Sequence, residues 1–241
     1  MPDTRRNATS PDLVGRDPVA VRAMFDRIAR RYDLANHLLS GGADFLWRAR
    51  ASRIVARWQP ARILDLATGS GDLALALRRA LPNAAITAAD FSPAMLDLAQ
   101  RKGVRNTVLA DALQLPFQES VFDCVTVAFG LRNMSDWGRA LREMHRVVER
   151  TGHLLVLDFS MPDRWLREAY RFYLHRCLPR LASFVTGQRD AYDYLGATIE
   201  RFPSGAAMVR LIEESGFVSV AARPNSGGIA TIYTAQKPDS L

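Results

Sequence analysis

Short apolar runs of about five residues alternate with longer stretches of three-to-four-residue periodicity, a pattern that predicts an α/β architecture built on a mostly parallel sheet. Ile63 to Leu66, Ala85 to Ala89, Thr107 to Ala110, Phe122 to Ala128 and His153 to Phe159 read as buried strands. Leu73 to Ala80, Pro93 to Lys102 and Trp137 to Glu149 read as helices, the last with apolar residues at i,i+3 and i,i+4. Thr151-Gly152 punctuates before the fifth strand. A final helix, Gly205 to Ser215, precedes Gly216 and two strands, Phe217 to Arg223 and Gly228 to Gln236, expected to pair as an antiparallel edge. Upstream of the sheet, Val19 to Ala29 and Phe45 to Trp58 are helical, whereas residues 1–17 are polar and expected to be disordered. After Pro162, the stripe Trp165, Ala169, Phe172, Tyr173 and Cys177 is expected to face the core, and its arginines also suit a cover over a site or a lipid contact. The expected organisation is one domain over 18–241, with a helical cover at 18–58 and a helical insertion at 162–200.

The most informative segment is Arg-Ile-Leu-Asp-Leu-Ala-Thr-Gly-Ser-Gly-Asp at 62–72, where a strand opens into a glycine loop and a helix begins near Asp72. Gly69 and Gly71 permit a tight turn and close approach to a ligand. With Ala74 they also satisfy the G-x-G-x-x-A dinucleotide fingerprint, so glycines alone do not separate a nicotinamide enzyme from a methyltransferase. Charge does: Asp72 would repel a pyrophosphate on the helix N-terminus, whereas a cationic ligand gains from Asp65 and Asp72. S-adenosylmethionine carries a sulfonium, an ammonium and no phosphate. Asp90, about 20 residues past Gly71, is placed to bind ribose hydroxyls. Asp111, at the end of the third strand, is placed to accept from an adenine amino group. Carboxylates therefore recur at three successive strand ends, on the edge where open α/β sheets bind ligands.

Composition narrows the setting. The chain has 241 residues, 48% of them hydrophobic, enough for one full core. Cys124 and Cys177 give no disulfide framework or metal spacing, and His37, His145, His153 and His175 no ligand pattern; each histidine is expected at a surface or interface. The 32 basic against 25 acidic residues give a net charge of +7, with arginines clustered at 27, 30, 31, 48, 50, 53 and 57. No nucleic-acid recognition module accompanies them, which leaves an anionic membrane surface or simple solvation. With no long apolar run and no signal-like start, a cytoplasmic protein is expected, peripheral at the inner face of the membrane.

Four further segments carry a family resemblance: Met-Phe-Asp-Arg-Ile-Ala-Arg-Arg-Tyr-Asp-Leu-Ala-Asn at 24–36, Ala-Asp-Phe-Ser-Pro-Ala-Met-Leu at 89–96, Phe-Asp-Cys-Val-Thr-Val-Ala-Phe-Gly-Leu-Arg-Asn at 122–133 and Tyr-Asp-Tyr-Leu-Gly-Ala-Thr-Ile at 192–199. With the glycine loop and Leu-Leu-Val-Leu-Asp-Phe-Ser at 154–160, the chain resembles, over residues 20 to 236, the class I methyltransferases of quinone biosynthesis. These C-methylate demethylmenaquinol and a polyprenyl benzoquinol precursor of ubiquinone. The resemblance implies a Rossmann-like, seven-stranded sheet with an antiparallel C-terminal strand, and S-adenosylmethionine as cofactor. It implies cofactor contacts from Asp65, Gly69, Ser70, Gly71, Asp90, Phe91, Met95, Asp111, Ala112, Ala128 and the cover residue Tyr32. Ala128 stands where the family often has serine, so a hydroxyl contact is lost there. Arg132 and Asn133 are implied as catalytic, the guanidinium stabilising a developing phenolate or orienting a water that removes its proton. Asn-His-Leu-Leu-Ser at 36–40 and the last strand lean towards menaquinone-pathway members, as does the missing His-Arg-Gly-Tyr-Lys-type tail. The expected partners are a polyprenylated quinol, an anionic membrane touched transiently and a second copy in a homodimer, with no nucleic acid and no metal. Two other classes stay open: a nicotinamide reductase, and a non-catalytic pathway protein that keeps the fold.

Overall fold

The computed structural model describes residues 40–162, 164–177, 196 and 198–239. The helix expected at Val19 to Ala29, the cover residue Tyr32 and the stretch 178–195 lie outside the described residues. Seven strands form one sheet: β1 (Arg62–Leu66), β2 (Ala85–Asp90), β3 (Thr107–Leu109), β4 (Phe122–Ala128), β5 (Val148–Phe159), β6 (Val218–Asn225) and β7 (Ala230–Gln236), in the order β3-β2-β1-β4-β5-β7-β6. Only β7 runs against its neighbours. The chain builds outward from β1 to β3 and then returns to the other side of β1 at β4. That switch point opens a crevice at the carboxyl ends of the central strands.

The helices are α1 (Ala43–Trp58), α2 (Asp72–Ala80), α3 (Pro93–Arg101), α4 (Trp137–Val147), α5 (Arg164–Phe172) and α6 (Ala206–Glu214). Strand alternation divides the core. Ile63 and Cys124 meet Trp47 and Val55 of α1 and Leu73 and Leu77 of α2 on one face. Leu64, Val125 and Leu154 meet Leu141 and Met144 of α4 and Ile212 of α6 on the other. Each such fully buried side chain contributes about 1.5–3 kcal/mol, so both layers are needed. The same alternation turns Asp65, two residues after Ile63, towards α1 and α2.

Several boundaries differ from those expected. The helix read to Glu149 ends at Val147, and β5 begins at Val148 rather than after Gly152. An ion-paired clasp holds this early part of the strand: Arg62 donates to Asp123 at 3.0 Å and to Glu149, while Asp123 also accepts from the amides of Ala61 and Arg62. Thr151, at φ 61°, and Gly152 form a bulge inside the strand; a Cβ on Gly152 would lie 2.9 Å from the Asp123 carbonyl. β6 extends to Asn225, and β7 starts at Ala230 after a 3₁₀ turn over Ser226–Gly228. The stripe after Pro162 is met in part. Tyr173 packs against the core, but Ala169 is exposed and Phe172 is 63% exposed, while Tyr170 and Leu174, outside the stripe, are buried; the side chains of Trp165 and Cys177 lie outside the described residues. Apolar residues occur on more than one side of α5, and spacing alone does not select between them. The two histidines whose side chains are described are more packed than expected: His153 stacks on Trp58 with centroids 4.3 Å apart, and His145 meets the edge of Phe217.

Candidate active site

The glycine loop owes its shape to two close approaches. Gly71 caps α2 at φ 86°, and a Cβ there would sit 2.5 Å from Val104 Cγ2 and 3.1 Å from Ala99 Cβ, so both conformation and space require glycine. Gly130, after β4, has an ordinary φ of −110°, yet a Cβ would meet Ala67 Cβ at 2.5 Å. The loops after β1 and β4 are thus in contact. Each carries a non-glycine residue in the left-handed region, Ala67 at φ 50° and Phe129 at φ 58°. Such residues store about 1–3 kcal/mol each and cluster at functional sites.

Arg48, Asp65, Ala67, Thr68, Gly69, Ser70, Asp72, Leu73 and Ala128 line one cleft beside these loops, with about 330 Å³ of empty space open to solvent. Asp65 is its buried charge. Its carboxylate accepts from Thr68 Oγ1 at 2.6 Å and from Thr126 Oγ1, on the neighbouring strand, at 2.7 Å. Burial pushes its pKa up to about 6, with Asp90 adding and the two hydroxyls and Arg48 opposing. The Arg48 guanidinium is itself held by Asp44 and sits 5.1 Å from the Phe129 ring centroid. A buried carboxylate kept partly neutral by its surroundings is one that a cationic ligand would stabilise.

Asp90, at the end of β2, acts first on the loop. One oxygen accepts from Gly69 N at 2.8 Å and the other from Ser92 N at 3.0 Å, so it ties the glycine loop to the start of α3. An ionised carboxylate has about four acceptor sites, so accepting from these two amides does not preclude a ligand hydroxyl. Ser92 caps α3 by accepting from Met95 N at 3.2 Å, and the Met95 side chain is buried. Phe91 is half-buried. Lys102, just past α3, donates to Ser70 Oγ at 2.9 Å and to Asp72 Oδ1 at 2.8 Å. The carboxylate of Asp72 is therefore partly neutralised and offers less to a cation than its position in the sequence suggests. Asp111 lies two residues beyond β3, exposed, accepting from Leu113 N at 2.9 Å, with Ala112 buried beside it.

Arg132 and Asn133, in the 3₁₀ turn Leu131–Asn133 after β4, do not line this cleft. Arg132 is buried. Its Nη1 donates to Asp158 Oδ1 at 2.7 Å and to the Phe129 carbonyl, its amide donates to Asp158 Oδ2 at 3.2 Å, and its guanidinium lies 5.2 Å from the Phe159 ring centroid. Asn133 donates to the same Phe129 carbonyl at 3.3 Å. Asp158 is fully buried; burial raises its pKa while the Arg132 charge and hydrogen bonds oppose that. The structure thus gathers Asp65, Gly69, Ser70 and Ala128 in one cleft, joins Asp90 to them through the loop, and sets Arg132 and Asn133 beyond Phe129. Sequence reasoning missed Thr68, Thr126, Lys102 and Asp158, and took Arg48 only as one of a cluster of charges. Leu-Leu-Val-Leu-Asp-Phe-Ser did carry a signal for Asp158, a lone acid closing a fully apolar strand.

The switch-point crevice, the glycine loop and an acid buried beside a cation-accepting cleft fit S-adenosylmethionine, and with this strand order they define a class I S-adenosylmethionine-dependent methyltransferase. A solved SAM-dependent methyltransferase from Thermotoga maritima shares the fold, with a TM-score of 0.65 at 18% identity over 90% of this chain and 99% of that one. The model of the ubiE/COQ5 methyltransferase family matches residues 14–237, and the chain belongs to that family. It is 45% identical to the demethylmenaquinone methyltransferase of Thermus thermophilus, covering 89% of this chain and 100% of the relative. To that of Mycolicibacterium gilvum it is 43% identical, over 92% and 97%.

Proposed function

We propose that this methyltransferase C-methylates a polyprenylated hydroquinone, demethylmenaquinol, to give menaquinol. The observation that carries the reading is the Arg132–Asp158 pair, a guanidinium fixed in an apolar setting past β4, next to a cleft suited to a cationic cofactor. The demethylmenaquinone name shared by the relatives supports this substrate over the ubiquinone precursor. When bound, S-adenosylmethionine supplies a methyl group already activated on sulfur. The chain's task is to align and to stabilise charge. Asp65, Gly69, Ser70, Gly71 and Asp90 are the proposed holders of the cofactor, with Phe91, Met95, Asp111, Ala112, Ala128 and Tyr32 completing that set. Arg132, assisted by Asn133, would stabilise the oxyanion left when a quinol hydroxyl gives its proton to water. After C–C bond formation the ring carbon loses its own proton to solvent and aromaticity returns.

Because the polyprenyl tail keeps the substrate in a bilayer, the enzyme is proposed to work at an anionic membrane surface. Among the described residues no helix is long and apolar enough to cross a membrane. What supports surface contact is α1, which exposes Arg50, Arg53 and Arg57 together with Phe45 and Leu46, 57% and 73% exposed. The 18–58 cover and the 162–200 insertion are proposed parts of the same single domain. The test supplies methyl-labelled S-adenosylmethionine with each purified quinol in vesicles and identifies the product. Label in menaquinol is expected; label in the ubiquinone precursor alone would overturn the substrate, and NAD(P)H binding without S-adenosylmethionine binding would overturn the reaction class.

A further inference from the structure

One buried hydroxyl outside the cofactor cleft has no partner. Tyr170 of α5 is 7% exposed, its ring belongs to the apolar cluster of Phe129, Phe159 and Leu174, and its Oη makes no hydrogen bond. Relative to phenylalanine, which fills the same shape, an unsatisfied buried hydroxyl is destabilising. Two neighbours act on it: the Tyr173 ring centroid lies 6.3 Å from that of Tyr170, the rings nearly parallel, and the Arg132 charge reaches the hydroxyl. Burial outweighs that charge and raises the hydroxyl's pKa, so it is a neutral donor at physiological pH. Arg132 lies over Phe159, in the same cluster. Aromatic faces, a guanidinium and an unused donor are therefore grouped past the carboxyl ends of β4 and β5.

That combination matches a flat ring bearing oxygens. We propose that Tyr170 contacts the substrate, its hydroxyl donating a hydrogen bond to a ring oxygen of the hydroquinone that Arg132 also faces. The inference rests on the reading of the enzyme as a quinol methyltransferase and adds a specificity residue to it. A donor aimed at a substrate oxygen discriminates strongly against analogues that lack that oxygen, because the site's polar group is then left unpaired. Substrate entry must displace part of the cover formed by α5 and the turn Tyr173–Cys177, since Oη is closed to solvent without it.

Tyr170→Phe removes only the hydroxyl and tests the assignment. Expected are a fall of about tenfold or more in kcat/KM for the quinol, S-adenosylmethionine affinity within twofold of wild type, and a melting temperature no lower than wild type. A second measurement compares binding of a ring analogue lacking that oxygen, read as inhibition so that turnover plays no part. Wild type should bind it less tightly than the quinol, and Tyr170→Phe should lose part of that discrimination. Unchanged kcat/KM would overturn the proposal, as would equal discrimination by the two proteins. Should wild type methylate no quinol while binding S-adenosylmethionine, the functional reading itself fails, an outcome visible before any variant is made.

Discussion

On the β1–β2 side of the crevice backbone amides do much of the holding: Asp90 grips the amides of Gly69 and Ser92, and Gly71 lets the loop lie against α3. On the β4–β5 side the central tie is a buried ion pair, Arg132 with Asp158, both beside the rings of Phe129 and Phe159. The first half stays open to solvent and meets a charged, soluble ligand. The second is dry, where one charge on a guanidinium does far more than it would in water. The contrast teaches that one crevice can supply a tolerant cradle and a rigid electrostatic device side by side, and each should fail in its own way.

The largest effect is expected on the dry side. Asp158→Ala leaves the Arg132 guanidinium buried without its partner, and breaking such a pair costs about 3–5 kcal/mol. Urea denaturation should report it, with S-adenosylmethionine binding retained under conditions where the variant is folded. A loss below 1 kcal/mol would show that the pair is not desolvated and would remove the contrast. Next comes Gly71→Ala, where left-handed strain adds to a forced shift of Val104 and Ala99, for about 2–4 kcal/mol in total. Here cofactor affinity should fall along with stability. If titration calorimetry found affinity intact, the loop would not depend on the shape of this glycine.

Neither half is uniformly legible in the sequence. Asp65, Gly69, Gly71 and Asp90 fall within a strand-loop-helix unit and the strand after it, where short-range spacing carries geometry, and they were legible. The Arg132–Asp158 pair spans 26 positions and the Asp65–Thr126 contact 61, and no local pattern encodes either. Arg48 shows the same limit. In the sequence it is one arginine among many, while in the fold the position of α1 brings its charge to act on Asp65. The strand positions were legible because apolar runs mark strands; the face of α5 was not, because its burial depends on what docks against it. The bulge at Thr151-Gly152 misled because turn-forming residues within a strand look like its boundary.

Asp65 offers a sharper probe of the open half. Its pKa is raised from the ordinary 3.8 to about 6, so between those values the native state holds a proton that the unfolded chain has lost, and stability falls as pH rises through the window. Comparing Asp65→Asn with wild type from pH 4 to 7 should therefore show the variant gaining relative stability, by about 1–3 kcal/mol at the upper end. Cofactor binding should run the other way. A cation favours the ionised carboxylate, so wild-type affinity for S-adenosylmethionine should rise as pH passes 6, and Asp65→Asn should flatten that rise. A flat wild-type profile would mean that the cofactor's charge lies elsewhere.

The smallest effect concerns Lys102, whose ammonium lies between Ser70 and Asp72 on the rim of the cleft. It puts a positive charge where a cationic ligand is to bind, but the pair is partly exposed, at 33% and 23%, so solvent and salt reduce its influence. Lys102→Met keeps most of the apolar stem and removes the charge. S-adenosylmethionine carries one more positive charge than S-adenosylhomocysteine, the product left after transfer. The variant should therefore shift the ratio of their affinities towards S-adenosylmethionine by about two- to fivefold, or about 0.4–1 kcal/mol, the scale of an exposed pair. The shift should shrink as salt is added. Equal weakening of both ligands would instead mark Lys102 as a tie that merely holds the loop, and the open half would then resemble the dry one in relying on an ion pair for its shape.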